Sequence, residues 1–218
     1  MAIFEERILA QRAVPASHYG QQYFHGQWRA GENDYSIEAR RPIEARNPQL
    51  IKEVFEPRRA LDFGCGPGAL LLFLWEIGVE CEGLDFSPYA KESAPPQIRD
   101  RIRIAQADEV FRGTPPYDLV ICREVLEHLT ARQIQRAVEH ICALSSRFIY
   151  LTTRYAKECG NPFALETEPE VDPSHITLLN KELLRCLFVL QGFHSRFDLE
   201  RRMDWKGIGR VLVLEKAV

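Results

Sequence analysis

Arg123-Glu124-Val125-Leu126-Glu127-His128-Leu129 gathers two carboxylates and an imidazole, the groups that move protons or hold cations. On a helical or turn-like backbone Glu124, Glu127 and His128 fall at i, i+3 and i+4 and share a face. His175, in Asp172-Pro173-Ser174-His175, offers a second imidazole. One reading is a divalent-metal site of Glu124, Glu127, His128 and His175, because oxygen and imidazole donors suit magnesium, manganese or zinc. A second is metal-free, with His128 or His175 as general base and Glu127 beside it, since an unperturbed imidazole titrates near neutrality. A third gives the run no chemistry and has it end a strand and pack a loop.

Leu61-Asp62-Phe63-Gly64-Cys65-Gly66-Pro67-Gly68 spaces three glycines as G-x-G-x-G. Glycines there permit a tight turn and close approach of a ligand to the backbone, which a side chain would block. Dinucleotide sites use G-x-G-x-x-G, and the early third glycine argues against a nicotinamide cofactor. Asp85, in Gly83-Leu84-Asp85-Phe86-Ser87, closes a second apolar run, where a doubly wound fold presents an acid to a ribose diol. Charge-assisted bonds to two hydroxyls are worth about 1.5 to 3 kcal/mol each.

This loop led by Asp62, the strand-ending Asp85, Gln106-Ala107-Asp108 and the run Tyr117-Asp118-Leu119-Val120-Ile121-Cys122 stand in the order found in class I, Rossmann-like, S-adenosylmethionine-dependent methyltransferases, which the chain resembles from about Arg59 to Leu214. The resemblance implies S-adenosylmethionine as cofactor, held by Asp62, Phe63, Gly64, Cys65, Gly66, Gly68, Asp85, Phe86, Ala107, Asp108, Arg123 and Tyr19. It also implies that Phe86 lies against the adenine and Asp108 meets its amino group. The E-x-x-E-H run is similar to that of ubiquinone-pathway O-methyltransferases. It also resembles small-RNA terminal 2′-O-methyltransferases, which bind a metal through this motif and a later histidine. The implied activity is methylation of a small metabolite at oxygen or nitrogen, with oxygen favoured by the carboxylates and imidazoles. The alternatives are a metal-dependent RNA 2′-O-methyltransferase, a protein methyltransferase, or a non-catalytic cofactor-binding module.

Positioning these groups takes a parallel sheet. Short apolar runs at Ala60 to Phe63, Cys81 to Asp85, Ile102 to Ala105, Leu119 to Cys122 and Phe148 to Thr152 read as buried parallel strands separated by helices. Leu70 to Trp75 forms a helix closed at Gly78, Thr130 and Gln133 make a capping box ahead of Ile134, Val138 and Ile141, and Leu183 to Leu190 forms another helix ended near Gly192. Two last strands, Ser195 to Leu199 and Val211 to Glu215, pair as an antiparallel hairpin. The expected fold is α/β and doubly wound: a mostly parallel seven-stranded sheet of order 3-2-1-4-5-7-6.

Residues 1–50 read as a cap segment ahead of a methyltransferase domain at 51–218. The cap is rich in aromatics, with little period until Ile43, and Tyr19, Tyr23 or Trp28 could reach a ligand or simply pack. Arg40 and Arg41 could hold a carboxylate or form a solvated pair. The acidic loop from Glu158 to Pro173 reads as a second lid.

At 218 residues and 45% hydrophobic content the chain suits one core. A net charge of -3 without a basic patch disfavours nucleic acid and leaves a small molecule as the expected partner. Cys65, Cys81, Cys122, Cys142, Cys159 and Cys186 form no C-x-x-C pair and read as reduced thiols of a cytoplasmic protein. Neither a membrane span nor a signal pattern is evident. Oligomeric state is not legible.

Overall fold

Nine short strands, ten α-helices and two 3-10 turns are seen among the described residues of the computed structural model, which are 2–26, 34–107, 116–157, 164–169 and 171–217. The strands are β1 (Ala60–Phe63), β2 (Cys81–Asp85), β3 (Ile102–Ile104), β4 (Tyr117–Arg123), β5 (Ser145–Thr152), β6 (Leu165–Glu166), β7 (Leu178–Leu179), β8 (Phe193–Ser195) and β9 (Val211–Lys216). β1 to β5 run parallel, β9 joins β5 antiparallel, and β8 joins β9 antiparallel. The sheet order is β3-β2-β1-β4-β5-β9-β8, which is the expected order once the strands are counted within that sheet. β6 and β7 form a separate two-stranded ribbon.

Side chains alternate along each central strand between two cores. Leu119, Ile121, Phe148, Tyr150, Val211 and Val213 enter one, under α4 (Asn47–Phe55), α5 (Ala69–Glu76) and α10 (Phe197–Met203). Val120, Cys122, Ile149, Leu151, Leu212 and Leu214 enter the other, under α8 (Ala131–Leu144) and α9 (Lys181–Leu190). Burial on both faces is why these strands read as continuous apolar runs. Thr130 and Gln133 make the reciprocal capping bonds at the start of α8.

Two expectations need correction. The stretch Ser195 to Leu199 is not one strand: β8 stops at Ser195 and α10 begins at Phe197. Phe197 and Leu199 mimic a strand's alternation, but the buried pair is Leu199 and Met203, at helical spacing. The N-terminal region is more helical than its patterning suggests. It holds α1 (Ala2–Ala10), α2 (Gln21–Phe24) and α3 (Ile37–Glu44), and α2 is one turn, too short to show a period. The remaining helices, α6 (Pro88–Ser93) and α7 (Pro96–Arg99), follow β2. The division at residue 50 falls inside α4. Among the described residues no helix is long and apolar enough to cross a membrane.

Candidate active site

The chain reverses its direction of travel across the sheet between β1 and β4, and ligands of open α/β sheets bind beyond the strand ends at such a point. Gly64, Gly66 and Gly68 all take left-handed φ, at 79°, 53° and 84°, and turn the chain from β1 into α5. Their surroundings correct the expectation that side chains here would simply block a ligand. A Cβ on Gly64 would lie 2.3 Å from Val125 Cγ2, and one on Gly68 would lie 2.4 Å from Ile98 Cδ1, so both serve packing. Only Gly66 turns its open side toward the aromatic wall, 3.3 Å from Phe24.

Asp85 braces this turn. Its Oδ2 accepts from the Gly66 N–H at 2.8 Å and its Oδ1 from the Ser87 N–H at 2.9 Å. Burial raises its pKa, opposed by the N–H groups of Ser87, Gly66 and Phe86. Each oxygen keeps a further lone pair for another donor.

A cavity of about 200 Å3 opens here, lined by Asp62, Phe63, Gly64, Cys65, Gly66, Asp85, Phe86, Ala107, Arg123 and Tyr19. Gly68 is not among its walls; it caps α5. Asp108 and Trp28 lie outside the described residues, as do Cys159 and residues 158–163 of the acidic loop. Tyr23, Phe24 and Tyr35 add an aromatic wall: Tyr19 meets Phe86 edge-on at 5.1 Å, and Tyr23 stacks on Tyr35 at 6.0 Å.

Asp62 is 4% exposed. Burial pushes its pKa up to about 7, Arg123 pulls it down, and Glu44 and Asp85 add to the rise. Glu44 is a site residue that sequence reasoning missed. Its buried carboxylate accepts from Arg123 Nη1 at 2.7 Å, Arg40 Nη2 at 2.7 Å and Asn47 Nδ2 at 2.9 Å. Burial alone would raise its pKa, but Arg123, Asn47 and Arg40 outweigh that and lower it to about 2. The i, i+4 spacing of Arg40 and Glu44 was the available signal. Arg40 lines the cavity, whereas Arg41 is bonded to Glu76 on the surface and is not part of the site.

The E-x-x-E-H run is not a helix. Glu124 has φ 53°, and Leu126–His128 is a 3-10 turn, so the helical i, i+3, i+4 relation does not hold, although the Glu124 carboxyl stays beside that of Glu127. Its carboxylate pairs with Arg210 at 3.3 Å. Glu127, His128 and His175 do converge, with donor atoms within 4.8 Å of one another, and Glu124 is not in that group. Thr153 Oγ1 donates to Glu127 Oε2 at 2.7 Å, while Glu127 Oε1 and His175 Nδ1 are buried without a hydrogen-bond partner among the described residues. Burial, then the charge of Glu124, holds the Glu127 carboxyl well above the usual range. Burial, then the neighbouring His175, lowers the His128 pKa and keeps that imidazole neutral. Burial likewise lowers that of His175, opposed by Asp172.

A second, more polar cavity of about 420 Å3 adjoins the first. Tyr23, Tyr35, Arg40, Arg123, Glu124 and His128 line both. Its outer wall comes from Tyr150 on β5, Arg154 just past that strand, and Asp204, Trp205, Lys206 and Arg210 in the segment between α10 and β9. That segment also went unread as part of a site.

A glycine-turn cavity at the switch point, with acids on β1 and β2 and this sheet order, defines a class I, Rossmann-like, S-adenosylmethionine-dependent methyltransferase. A family model described as a methyltransferase domain matches residues 36–195, and the chain belongs to that family. An amino pentose methyltransferase from Micromonospora echinaspora, solved with S-adenosylmethionine bound, is similar at 18% identity and TM-score 0.62, over 81% of this chain and 91% of that one. A magnesium protoporphyrin IX methyltransferase from Synechocystis PCC 6803 is similar at 16% identity and TM-score 0.59, over 95% and 100%. The cyclase SpnF is similar at 15% identity and TM-score 0.60, over 100% and 93%. No curated protein matches the sequence. At these identities the structural likeness shows the fold, and folds host more than one chemistry.

The residues present fit S-adenosylmethionine. Asp62 is a buried carboxyl on the wall of a cavity whose ligand carries positive charge, and Asp85 stands beside a turn whose Gly66 faces the same space.

Proposed function

We propose that this chain methylates a small polar acceptor at oxygen, with the acceptor in the second cavity and His128 receiving its proton. The observation that carries this reading is that His128 lines both cavities. When bound, the cofactor supplies an electrophilic methyl group whose bonding pair returns to sulfur. Most of what the protein must add is alignment in a water-poor site, which can supply up to about 7 to 11 kcal/mol. Tyr19, Tyr23 and Phe24, from the cap segment, close the site on one side, and Asp62, Asp85 and Gly66 hold the donor. An attacking hydroxyl also sheds a proton, and a neutral imidazole on the shared wall can take it. Nitrogen methylation would need less of His128, because an uncharged amine already carries the attacking pair.

A second reading has its own observation. Glu127 Oε1 and His175 Nδ1 are buried without a hydrogen-bond partner among the described residues, and with His128 they offer an oxygen and two imidazole donors to a divalent cation such as magnesium or manganese. Glu124, held by Arg210, is outside that set. A cation there would lower the pKa of an acceptor hydroxyl.

Calorimetric titration with S-adenosylhomocysteine, with and without manganese, tests both readings. Micromolar binding independent of manganese, followed by acceptor turnover that survives exhaustive chelation and is lost in His128→Gln, is the expected outcome. Activity silenced by chelator and restored by manganese would replace it with the metal reading. No binding by a folded sample would defeat both.

A further inference from the structure

A base and a metal ligand need the same thing of a histidine: one ring nitrogen bare of its proton and turned toward the reactants. The surroundings of His128 decide which nitrogen that is. His128 Nδ1 lies 2.9 Å from Ser174 Oγ. Ser174 is 1% exposed and lines neither cavity, so this edge of the ring faces the interior. The Ser174 hydroxyl is in turn 2.6 Å from Asp172 Oδ1, and the Ser174 N–H donates to the same oxygen at 2.8 Å. The other oxygen, Oδ2, faces the Tyr23 hydroxyl at 3.4 Å and His175 Nε2 at 3.7 Å.

A hydroxyl has one proton to give. Between Ser174 Oγ and an ionised Asp172 that proton must lie on the serine, because two oxygens at 2.6 Å with nothing between them would repel. Asp172 Oδ1 acts here as an acceptor, since it already takes the Ser174 N–H at 2.8 Å. With its proton committed, Ser174 Oγ can only accept from the imidazole. Nδ1 must then carry the ring proton, and Nε2 is left with its lone pair.

We propose that Asp172 and Ser174 are positioning residues that fix the tautomer of His128, keeping the proton on Nδ1 and presenting a bare Nε2 on the wall that the two cavities share. The chain Asp172, Ser174, His128 orients the imidazole as the carboxylate of a hydrolytic triad does, with a hydroxyl interposed. The proposal extends the role given to His128 above. It concerns the resting protein, so it can be tested without an acceptor.

The test is long-range proton-to-nitrogen correlation spectroscopy on protein labelled with 15N histidine, at pH 7.5 and without ligand. His128 is identified by the signals absent from His128→Gln. The expected result is a neutral ring with the proton on Nδ1 in the wild type, and a shift of population toward the proton on Nε2 in both Ser174→Ala and Asp172→Ala. A wild-type ring protonated on Nε2 or on both nitrogens would overturn the proposal, and so would folded variants whose tautomer is unchanged. If the variants do not fold, the wild-type spectrum alone decides. Once an acceptor is in hand, Ser174→Ala should lower kcat by about tenfold or more with little change in KM. If His128→Gln keeps full activity while the tautomer is as stated, the assignment of His128 as base fails and the positioning inference stands.

Discussion

Asp62 and Asp85 are both buried acids on the first cavity, yet they differ in what satisfies them. Asp85 has N–H donors on both oxygens, while Asp62 faces a guanidinium already shared with Glu44. The Asp62 pKa of about 7 means that it is partly protonated at neutral pH, and a bound cation would favour the ionised form. S-adenosylhomocysteine, with its ammonium, should therefore release a proton on binding. Its affinity should rise as pH rises from about 6 to 8 and level off above, and Asp62→Asn should flatten that dependence; titration in two buffers of different ionisation enthalpy counts the proton. Identical heats in both buffers would remove Asp62 from the linkage. Asp85→Ala removes the brace on Gly66 together with the contact proposed for the cofactor, and should weaken S-adenosylhomocysteine binding by about tenfold or more in calorimetry. The place of Asp85 was legible because a strand end is set by local sequence. The true partners of Gly64 and Gly68, Val125 and Ile98, were not, because they come from distant segments. Asp172 and Ser174 were visible only as neighbours of His175, since the bond from Ser174 to His128 spans 46 residues and Asp172 acts through Ser174.

Among the elements, α3 is fastened to the end of β4 by Glu44, which binds Arg40 on its own helix and Arg123 on the strand. Removing one partner of a buried ion pair leaves uncompensated charge, so Glu44→Gln should destabilise the fold by about 3 kcal/mol in denaturant titration. The pH dependence follows from the folded pKa of about 2, below the 4.5 of an unperturbed glutamate. A depressed acid contributes stability that is fully present above about pH 4.5 and is lost as pH falls toward 2, by at most about 3 kcal/mol. Wild type should lose stability steeply across that window and Glu44→Gln less so; parallel acid profiles would contradict the assignment. The central strands and α8 were readable because period and capping are local, whereas the switch from β8 to α10 turned on which of two periods the core would accept.

At the scale of the molecule, the two cavities are closed by a segment that precedes the sheet in the chain and returns over it. Aromatic content made this segment stand out, but no local pattern could show where it docks, because its anchors lie far along the sequence. Gln11 carries three of them: its Nε2 donates to Ile176 O at 3.0 Å and Thr177 Oγ1 at 2.7 Å, and its Oε1 accepts from Ala131 N at 2.9 Å. Ser87 Oγ adds a bond to Tyr19 O at 2.6 Å. A ligand at a hundred times its Kd should stabilise the wild type by about 2.7 kcal/mol, roughly 5 to 10 °C in Tm for a chain of this size. Gln11→Ala releases the start of the segment. If closure is part of the binding-competent state, the fraction of closed molecules multiplies the affinity. The variant should then lose Tm without ligand and also show a smaller shift with S-adenosylhomocysteine at the same concentration. A lower unliganded Tm with an undiminished shift would mean that Tyr19, Tyr23 and Phe24 only pack against the body, and that the cofactor binds as well without the closed segment as with it.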